Sequence, residues 1–362
     1  MINVLCVSNL VDTIIYGMFS ELRAYGYKVF ITATTEEQVE KIEKGGCHAV
    51  RIPNYNAKFS YKAIKSIRNA LKQNNIQVVY AINSSDLSNS LFASYGLPIK
   101  TVAYRGTQAK IRKSDPTYYL GILHPKVSHI VCATEDIYLN LQSLFDKKML
   151  TLNPKPYKVE WVSEAIQNPK KANDIPDDAF LVTHIALAKN RPFKGLSNLI
   201  EGFHLIDNSA IYLLHIGDYD EVDFNKAKSG KNADRIHFIG KQRDAVHYLP
   251  KSNVCICPST RDASPRSLRE AMACEVACIV TDIPGARDLV KHNETGLVIE
   301  PNSQQAIAEA ITNLAGNKDK TRLFGINGRE YILSKFSMEK YLHNFDTVFR
   351  NLVEEKTNIL KV

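Results

Sequence analysis

Two carboxylates with seven residues between them, Asp262 and Glu270, lie in the stretch Pro258-Ser259-Thr260-Arg261-Asp262-Ala263-Ser264-Pro265-Arg266-Ser267-Leu268-Arg269-Glu270-Ala271-Met272-Ala273-Cys274. Ser264 followed by Pro265 suits an N-cap and first-turn pair, so a helix is expected to begin there. At helical spacing Leu268, Ala271 and Met272 form a buried stripe, while Arg266, Ser267 and Glu270 share another face. A lone carboxylate on a mostly buried helix is costly unless it finds hydrogen-bond donors. A ribose diol supplies two. The strand expected just before, Asn253 to Cys257, sets the helix N-terminus at a strand's carboxyl end, which makes it a ready anion site.

A second cluster is cationic. Lys189-Asn190-Arg191-Pro192-Phe193-Lys194-Gly195 follows an expected strand, Phe180 to Leu187, and precedes a helix carrying Leu196, Leu199, Ile200 and Phe203 at core spacing. Gly195 marks the start of that helix, with Arg191 and Lys194 just ahead of it. Two cations beside a helix N-terminus suit a diphosphate whose charge grows as it departs. Asp218-Tyr219-Asp220 has the form of a metal-binding acid pair, but with Glu221 and Asp223 beside it the segment reads as a solvated acidic loop. None of the ten histidines falls at ligand spacing. No metal and no cofactor is expected.

With these motifs in place, the chain resembles the retaining nucleotide-sugar glycosyltransferases of family 4, which have the GT-B fold. The resemblance rests on Asp262-x7-Glu270 with Ala271-Met272-Ala273-Cys274, and continues through Ala277 to Asp282, Pro284-Gly285-Ala286-Arg287-Asp288 and Thr295-Gly296-Leu297-Val298. It covers residues 180 to 315 well and the N-terminal half only in general layout. It implies that Glu270 binds ribose hydroxyls, that Asp262 holds hydroxyls of the donor sugar, and that Ser264, Arg266 and Ser267 meet sugar and phosphate. The family's arginine role falls to Arg191 or Lys189, its lysine role to Lys194, and Gly240 is grouped with the donor-binding residues. Three positions depart from the pattern. The first acid is usually Glu, Pro265 stands where Gly is common and removes a backbone donor, and Glu275 replaces the usual Gly.

The acceptor side is less explicit. Where family members often have paired glycines after the first strand, this chain has Ser8-Asn9-Leu10-Val11-Asp12, ahead of a helix near Ile14 to Tyr25. Where many carry a His near the reaction centre, it has Tyr104-Arg105-Gly106-Thr107. Arg105 is a candidate for the leaving phosphate or an anionic acceptor, with a structural salt bridge as the alternative. Ala57 to Gln73 is expected as a basic amphipathic helix, with Lys58, Lys62, Lys65, Arg68 and Lys72 along one side and Ile64, Ile67 and Leu71 on the other. Such a face can lie on an anionic membrane or simply be solvated.

The elements that must position these groups alternate along the chain. Short runs rich in Val, Ile and Tyr read as strands at Ile2 to Ser8, Lys28 to Ala33, Ile76 to Ile82, Ile99 to Ala103 and Val127 to Ala133. A second series follows at Phe180 to Leu187, Ile211 to Ile216, Arg235 to Ile239, Asn253 to Cys257, Ala277 to Thr281 and Leu297 to Ile299. Between the two series, Asn153 to Asp178 carries four prolines and reads as the interdomain connection. The expected fold is α/β: GT-B, with two Rossmann-like doubly wound domains facing across a cleft. Residues 1–155 form an acceptor-binding domain to which a C-terminal helix, residues 338–362, packs back. Residues 156–337 form the donor-binding domain.

A chain of 362 residues with 44% hydrophobic content is long enough for two cores. Met1 to Gly17 is apolar, but it lacks a basic leader and is interrupted by Asp12, so a strand is the better reading than a signal peptide. Seven scattered cysteines fit a reducing cytoplasm better than a secreted framework. Lys plus Arg outnumber Asp plus Glu by 19 to 11 in residues 1–155 and match them at 27 each in residues 156–362. The excess positive charge therefore marks the first half for an anionic partner. The expected partners are a UDP- or GDP-linked sugar, a glycan or lipid-linked acceptor and an anionic membrane surface, not nucleic acid. The function expected is transfer of a sugar in cell-surface polysaccharide synthesis, at the cytoplasmic side. A nucleotide-sugar epimerase of similar architecture and a non-catalytic nucleotide-sugar-binding protein are the alternatives.

Overall fold

Runs of consecutive apolar residues become parallel strands covered on both faces. The computed structural model describes residues 1–9, 13–107, 109–262 and 264–359. Sequence readings that rest on Leu10, Val11, Asp12 or Ala263 lie outside the described residues. The chain divides into two compact units, one of residues 1–155 with 338–362, the other of residues 156–337.

The first unit is built on seven parallel strands: β1 (Ile2–Val7), β2 (Tyr27–Ala33), β3 (His48–Arg51), β4 (Val78–Ala81), β5 (Lys100–Arg105), β6 (Val127–Cys132) and β7 (Leu150–Leu152). Their spatial order is β3-β2-β1-β4-β5-β6-β7. Val4, Leu5, Cys6 and Val7 are all fully buried, which requires helices on both faces of the sheet. One of those helices comes from the far end of the chain. Met338–Ile359 lays Tyr341, Leu342, Phe345 and Phe349 against Val4, Val29 and Tyr80, and each fully buried Phe contributes about 1.5 to 3 kcal/mol. Tyr27 Oη donates to Asp346 Oδ1 at 2.8 Å and fixes the helix lengthwise.

The basic helix starts later than its charge pattern suggests. Ser60 caps it, its hydroxyl accepting from Ala63 N, and it runs Tyr61–Gln73. Lys58 thus precedes the helix and donates to the Thr117 carbonyl at 2.9 Å. Arg68 turns inward and donates to the carbonyls of Ala93 and Tyr95 at 2.8 and 2.7 Å. Lys62, Lys65 and Lys72 remain exposed.

The second unit has six parallel strands: β8 (Phe180–Ile185), β9 (Ile211–Ile216), β10 (Ile236–Phe238), β11 (Val254–Cys257), β12 (Ala277–Thr281) and β13 (Gly296–Ile299). The order is β10-β9-β8-β11-β12-β13, so the chain reverses its direction of winding between β8 and β11. A ligand crevice is expected beyond the carboxyl ends of the strands at such a point. The proline-bearing segment after Asn153 is not a free linker. Tyr157 and Val162 are buried among Leu268, Ala271 and Met272, and Ile175 among Leu181, Leu214 and Ile216, because these apolar side chains find partners in the second unit.

Candidate functional site

The loops after β8 and β11 are locked together before any ligand is considered. Thr260 N donates to the Phe193 carbonyl at 2.8 Å, and the Arg261 guanidinium stacks 4.5 Å from the Phe193 ring. Gly195, at φ 75°, approaches Pro258 so closely that a Cβ would stand 2.1 Å from its carbonyl oxygen. Only glycine combines that backbone with that contact.

The helix after β11 runs Arg266–Ala273, with Leu268, Ala271 and Met272 fully buried. Its start differs from the expected pair. Pro265 occupies the N-cap position without a side-chain bond. The Ser264 hydroxyl instead accepts from Arg269 Nη2 at 2.6 Å, and Ser264 N donates to Asp262 Oδ1 at 3.2 Å. Ser264 is thereby used to hold the loop. At the other end Glu275 takes φ 60° while Val276 N reaches back to the Ala271 carbonyl. That is the left-handed helix stop glycine usually fills, and Glu275 compensates in part by pairing with Arg329 at 2.8 Å.

Between these loops lies a cavity of about 450 Å³ whose lining includes Arg191, Lys194, Asp262, Arg266, Ser267 and Glu270, together with His184, Gly217 and the segment Lys241 to Arg243. Lys194 Nζ stands 2.6 Å from Asp262 Oδ2, both side chains being mostly shielded. Glu270 is 8% exposed and accepts from Arg266 Nε at 2.7 Å. Burial pushes its carboxyl above the usual range, and the Arg266 guanidinium offsets part of that rise. Cations and carboxylates alternate around the cavity, Lys194 paired with Asp262 and Arg266 with Glu270. Such a lining offers charge to a diphosphate and acceptors to hydroxyl groups.

Arg191 lines the cavity and Lys189 does not. The Lys189 amide donates to Asp218 Oδ1 at 3.0 Å, and its side chain is exposed. Gly240 lies one residue before the lining, its carbonyl accepting from Gly217 N. Asp218 and Asp220 receive the amides of Lys189 and Asn190, so this acidic pair acts as a loop fastener. Arg105 belongs to the first unit. Half-buried at the end of β5, it donates to the Ala109 carbonyl, and burial lowers its pKa. Sequence reasoning passed over His184, Gly217 and Lys241 to Arg243. The last four follow strands β9 and β10, where the strand-end rule would have found them. His184 sits inside a strand and carried no such signal.

Two parallel-sheet units, with a diphosphate-suited cavity at the switch point of the second, define a GT-B fold. Residues 166–331 match the family model described as glycosyl transferases group 1. By sequence the chain is 24% identical to the capsular polysaccharide biosynthesis glycosyltransferase CapM of Staphylococcus aureus, over 94% of each chain. It is 22% identical to the UDP-Gal:alpha-D-GlcNAc-diphosphoundecaprenol alpha-1,3-galactosyltransferase of Escherichia coli, over 82% of this chain and 80% of that one. Among solved structures it superposes on a glycosyltransferase of Rickettsia africae with a TM-score of 0.82 at 18% identity, covering 97% and 98% of the two chains. Anabaena HepE in complex with UDP gives 0.78 at 14%, covering 97% and 99%. The chain is a glycosyltransferase, and these relatives favour that reading over the epimerase.

Proposed function

We propose that this glycosyltransferase moves a hexose, with retention at the anomeric carbon, from a UDP- or GDP-linked sugar to a glycan or lipid-linked glycan in cell-surface polysaccharide synthesis. The observation that carries it is the convergence of Arg191, Lys194, Asp262 and Glu270 on one cavity at the β8/β11 switch point. Arg191 and Lys194 stabilise the leaving diphosphate, Glu270 holds the ribose, and Asp262 orients the sugar. The bond from the anomeric carbon to the diphosphate oxygen breaks. The acceptor hydroxyl oxygen bonds to that carbon and its proton leaves with the diphosphate. CapM and the undecaprenol-linked galactosyltransferase act, by their names, in capsule synthesis and on a diphosphoundecaprenol glycan, and HepE was solved with UDP. These support the acceptor and donor classes.

The first unit receives the acceptor, Arg105 meeting its anionic group. Exposed Lys62, Lys65 and Lys72, with Phe59 at 59% and Tyr61 at 69% exposure, form a surface suited to peripheral attachment at the cytoplasmic face of an anionic membrane. No described helix is long and apolar enough to cross a bilayer.

The test is to incubate the pure chain with labelled UDP-, GDP- and ADP-sugars and lipid-linked acceptors, and to read the product's anomeric configuration by NMR. Transfer with retained configuration is expected. Isomerisation of the donor, or binding without turnover on any acceptor, would replace this reading with the epimerase or the binding protein.

A further inference from the structure

The cavity lining includes His184, which the donor chemistry above leaves without a role. His184 and His215 are register partners on β8 and β9, and both are buried, at 1% and 0% exposure. Their Nδ1 atoms lie 3.1 Å apart, and His215 Nε2 lies 3.2 Å from the Asp218 carbonyl oxygen. A carbonyl only accepts, so His215 Nε2 carries a proton. Burial holds both rings neutral, His215 lowered to about 4 and His184 held well below its usual value with His215 and Lys194 adding to the effect. A neutral His215 protonated at Nε2 has a bare Nδ1, which must accept. His184 is then protonated at Nδ1, and its Nε2 is bare. His184 lines the cavity, and its ring makes this one hydrogen bond among the described residues.

We infer that His184 is a specificity-determining residue whose bare Nε2, locked by the His215–Asp218 chain, accepts a hydrogen bond from an uncharged O–H or N–H group of the bound nucleotide sugar. The inference rests on the donor reading of the cavity. An ionised diphosphate presents only acceptor oxygens and meets a bare nitrogen unfavourably. A hydroxyl of the ribose or the transferred sugar, or a base N–H, supplies the donor that a bare nitrogen requires. The histidine thus sorts hydroxyl and base toward β8, and leaves the phosphates to Arg191 and Lys194.

The test uses the full chain with ¹⁵N-labelled histidine. Long-range ¹H–¹⁵N spectra should show His184 protonated at Nδ1 and bare at Nε2, with assignment by the H184N variant. UDP, GDP, UDP-glucose and GDP-mannose are then added separately. Movement of the Nε2 resonance with a nucleotide diphosphate places the donor group on the nucleoside, and movement only with a nucleotide sugar places it on the sugar. Either supports the inference. In H184N the amide replaces Nδ1–H toward His215, so Tm should stay near wild type, while KM for the nucleotide sugar rises about three- to tenfold with kcat little changed. A protonated Nε2 in the free protein overturns the proposal. So does an Nε2 unmoved by ligands whose binding still depends on Glu270, and that result leaves the donor reading intact. No binding of any probe would remove both.

Discussion

Lys194 Nζ and Asp262 Oδ2 are 2.6 Å apart, so the cation proposed for a leaving diphosphate is already paired with the carboxylate proposed for the sugar. Removing Asp262 therefore releases Lys194 toward phosphate. Asp262→Ala should bind nucleotide diphosphate as well as wild type or better, while transfer falls by orders of magnitude through lost positioning of the sugar. Asp262→Glu, one methylene longer, should retain diphosphate binding and shift which sugar is accepted. Calorimetry with the diphosphate alongside initial rates reads all of this. Normal transfer by Asp262→Ala would remove the residue from the site.

The loop contact at Gly195 makes a second prediction, for which Gly240 is the control. Both glycines have positive φ, 75° and 67°, but a Cβ at Gly240 meets nothing within 4 Å while one at Gly195 meets the Pro258 carbonyl. Gly240→Ala should lose about 1 to 2 kcal/mol for its left-handed backbone alone. Gly195→Ala should lose more, and should also lose donor affinity, because the loops after β8 and β11 must part. Equal unfolding midpoints and equal diphosphate affinities for the two variants would contradict the argument.

The fold was legible where burial is two-sided. β9 and β12 lie at the residues their apolar runs mark, Ile211–Ile216 and Ala277–Thr281. The strands His48–Arg51 and Leu150–Leu152 were missed because they are edge strands of four and three residues, too short to show a periodicity. In the site, the carboxylates and cations were legible because strand–loop–helix order puts them at one end of the sheet. The use of Ser264 was not. Its hydroxyl is claimed by Arg269, five residues on, and no local capping rule encodes that bond. Nor was the replacement of glycine by Glu275 legible, since its φ of 60° and its Arg329 partner, 54 residues on, leave no local signal.

Transfer is predicted to need no divalent metal. Asp218 and Asp220 accept the amides of Lys189 and Asn190, and Lys241 Nζ lies 3.0 Å from Asp218 Oδ2, so both carboxylates are already engaged by the protein's own groups. In the proposed reaction Arg191 and Lys194, both lining the cavity, supply the positive charge for the diphosphate. EDTA should leave the initial rate within about twofold of the untreated value. Abolished transfer that Mn²⁺ or Mg²⁺ restores would instead assign the acidic loop to a metal.

Membrane attachment is predicted to depend on Lys62, Lys65 and Lys72 and not on Arg68, whose guanidinium is committed to two carbonyls. Each exposed cation near an anionic surface contributes about 1 kcal/mol. Reversing the three lysines should abolish flotation with anionic vesicles and leave the Tm unchanged. Arg68→Ala should lower the Tm instead, by freeing the carbonyls that end the neighbouring helix. Equal flotation with neutral vesicles would contradict the electrostatic account.

Glu270 sets stability against function, and pH separates the two. Burial raises its carboxyl pKa in the folded chain, with Arg266 only partly offsetting the shift. The folded state therefore holds the proton more tightly than the unfolded state. The stability this gives is fully present below the unfolded value, about 4.3, and is lost as pH rises through the folded value. Above the unfolded value, keeping Glu270 at its buried place costs the ligand-free protein stability. Glu270→Gln removes that charge at similar volume, so its Tm should exceed wild type at neutral pH, and the gap should close as pH falls toward the unfolded carboxylate range. Binding should move the other way. Loss of one charge-assisted hydrogen bond to a ribose hydroxyl, about 1.5 to 3 kcal/mol, weakens nucleotide diphosphate by about ten- to a hundredfold. In wild type the affinity should fall as pH drops through the raised pKa, because the ribose hydroxyls need the carboxylate ionised, and in Glu270→Gln that pH dependence should vanish. Calorimetric titrations and thermal melts of both proteins across the acid range test the two halves together. A Glu270→Gln protein that binds like wild type with an unchanged pH profile would place the ribose elsewhere.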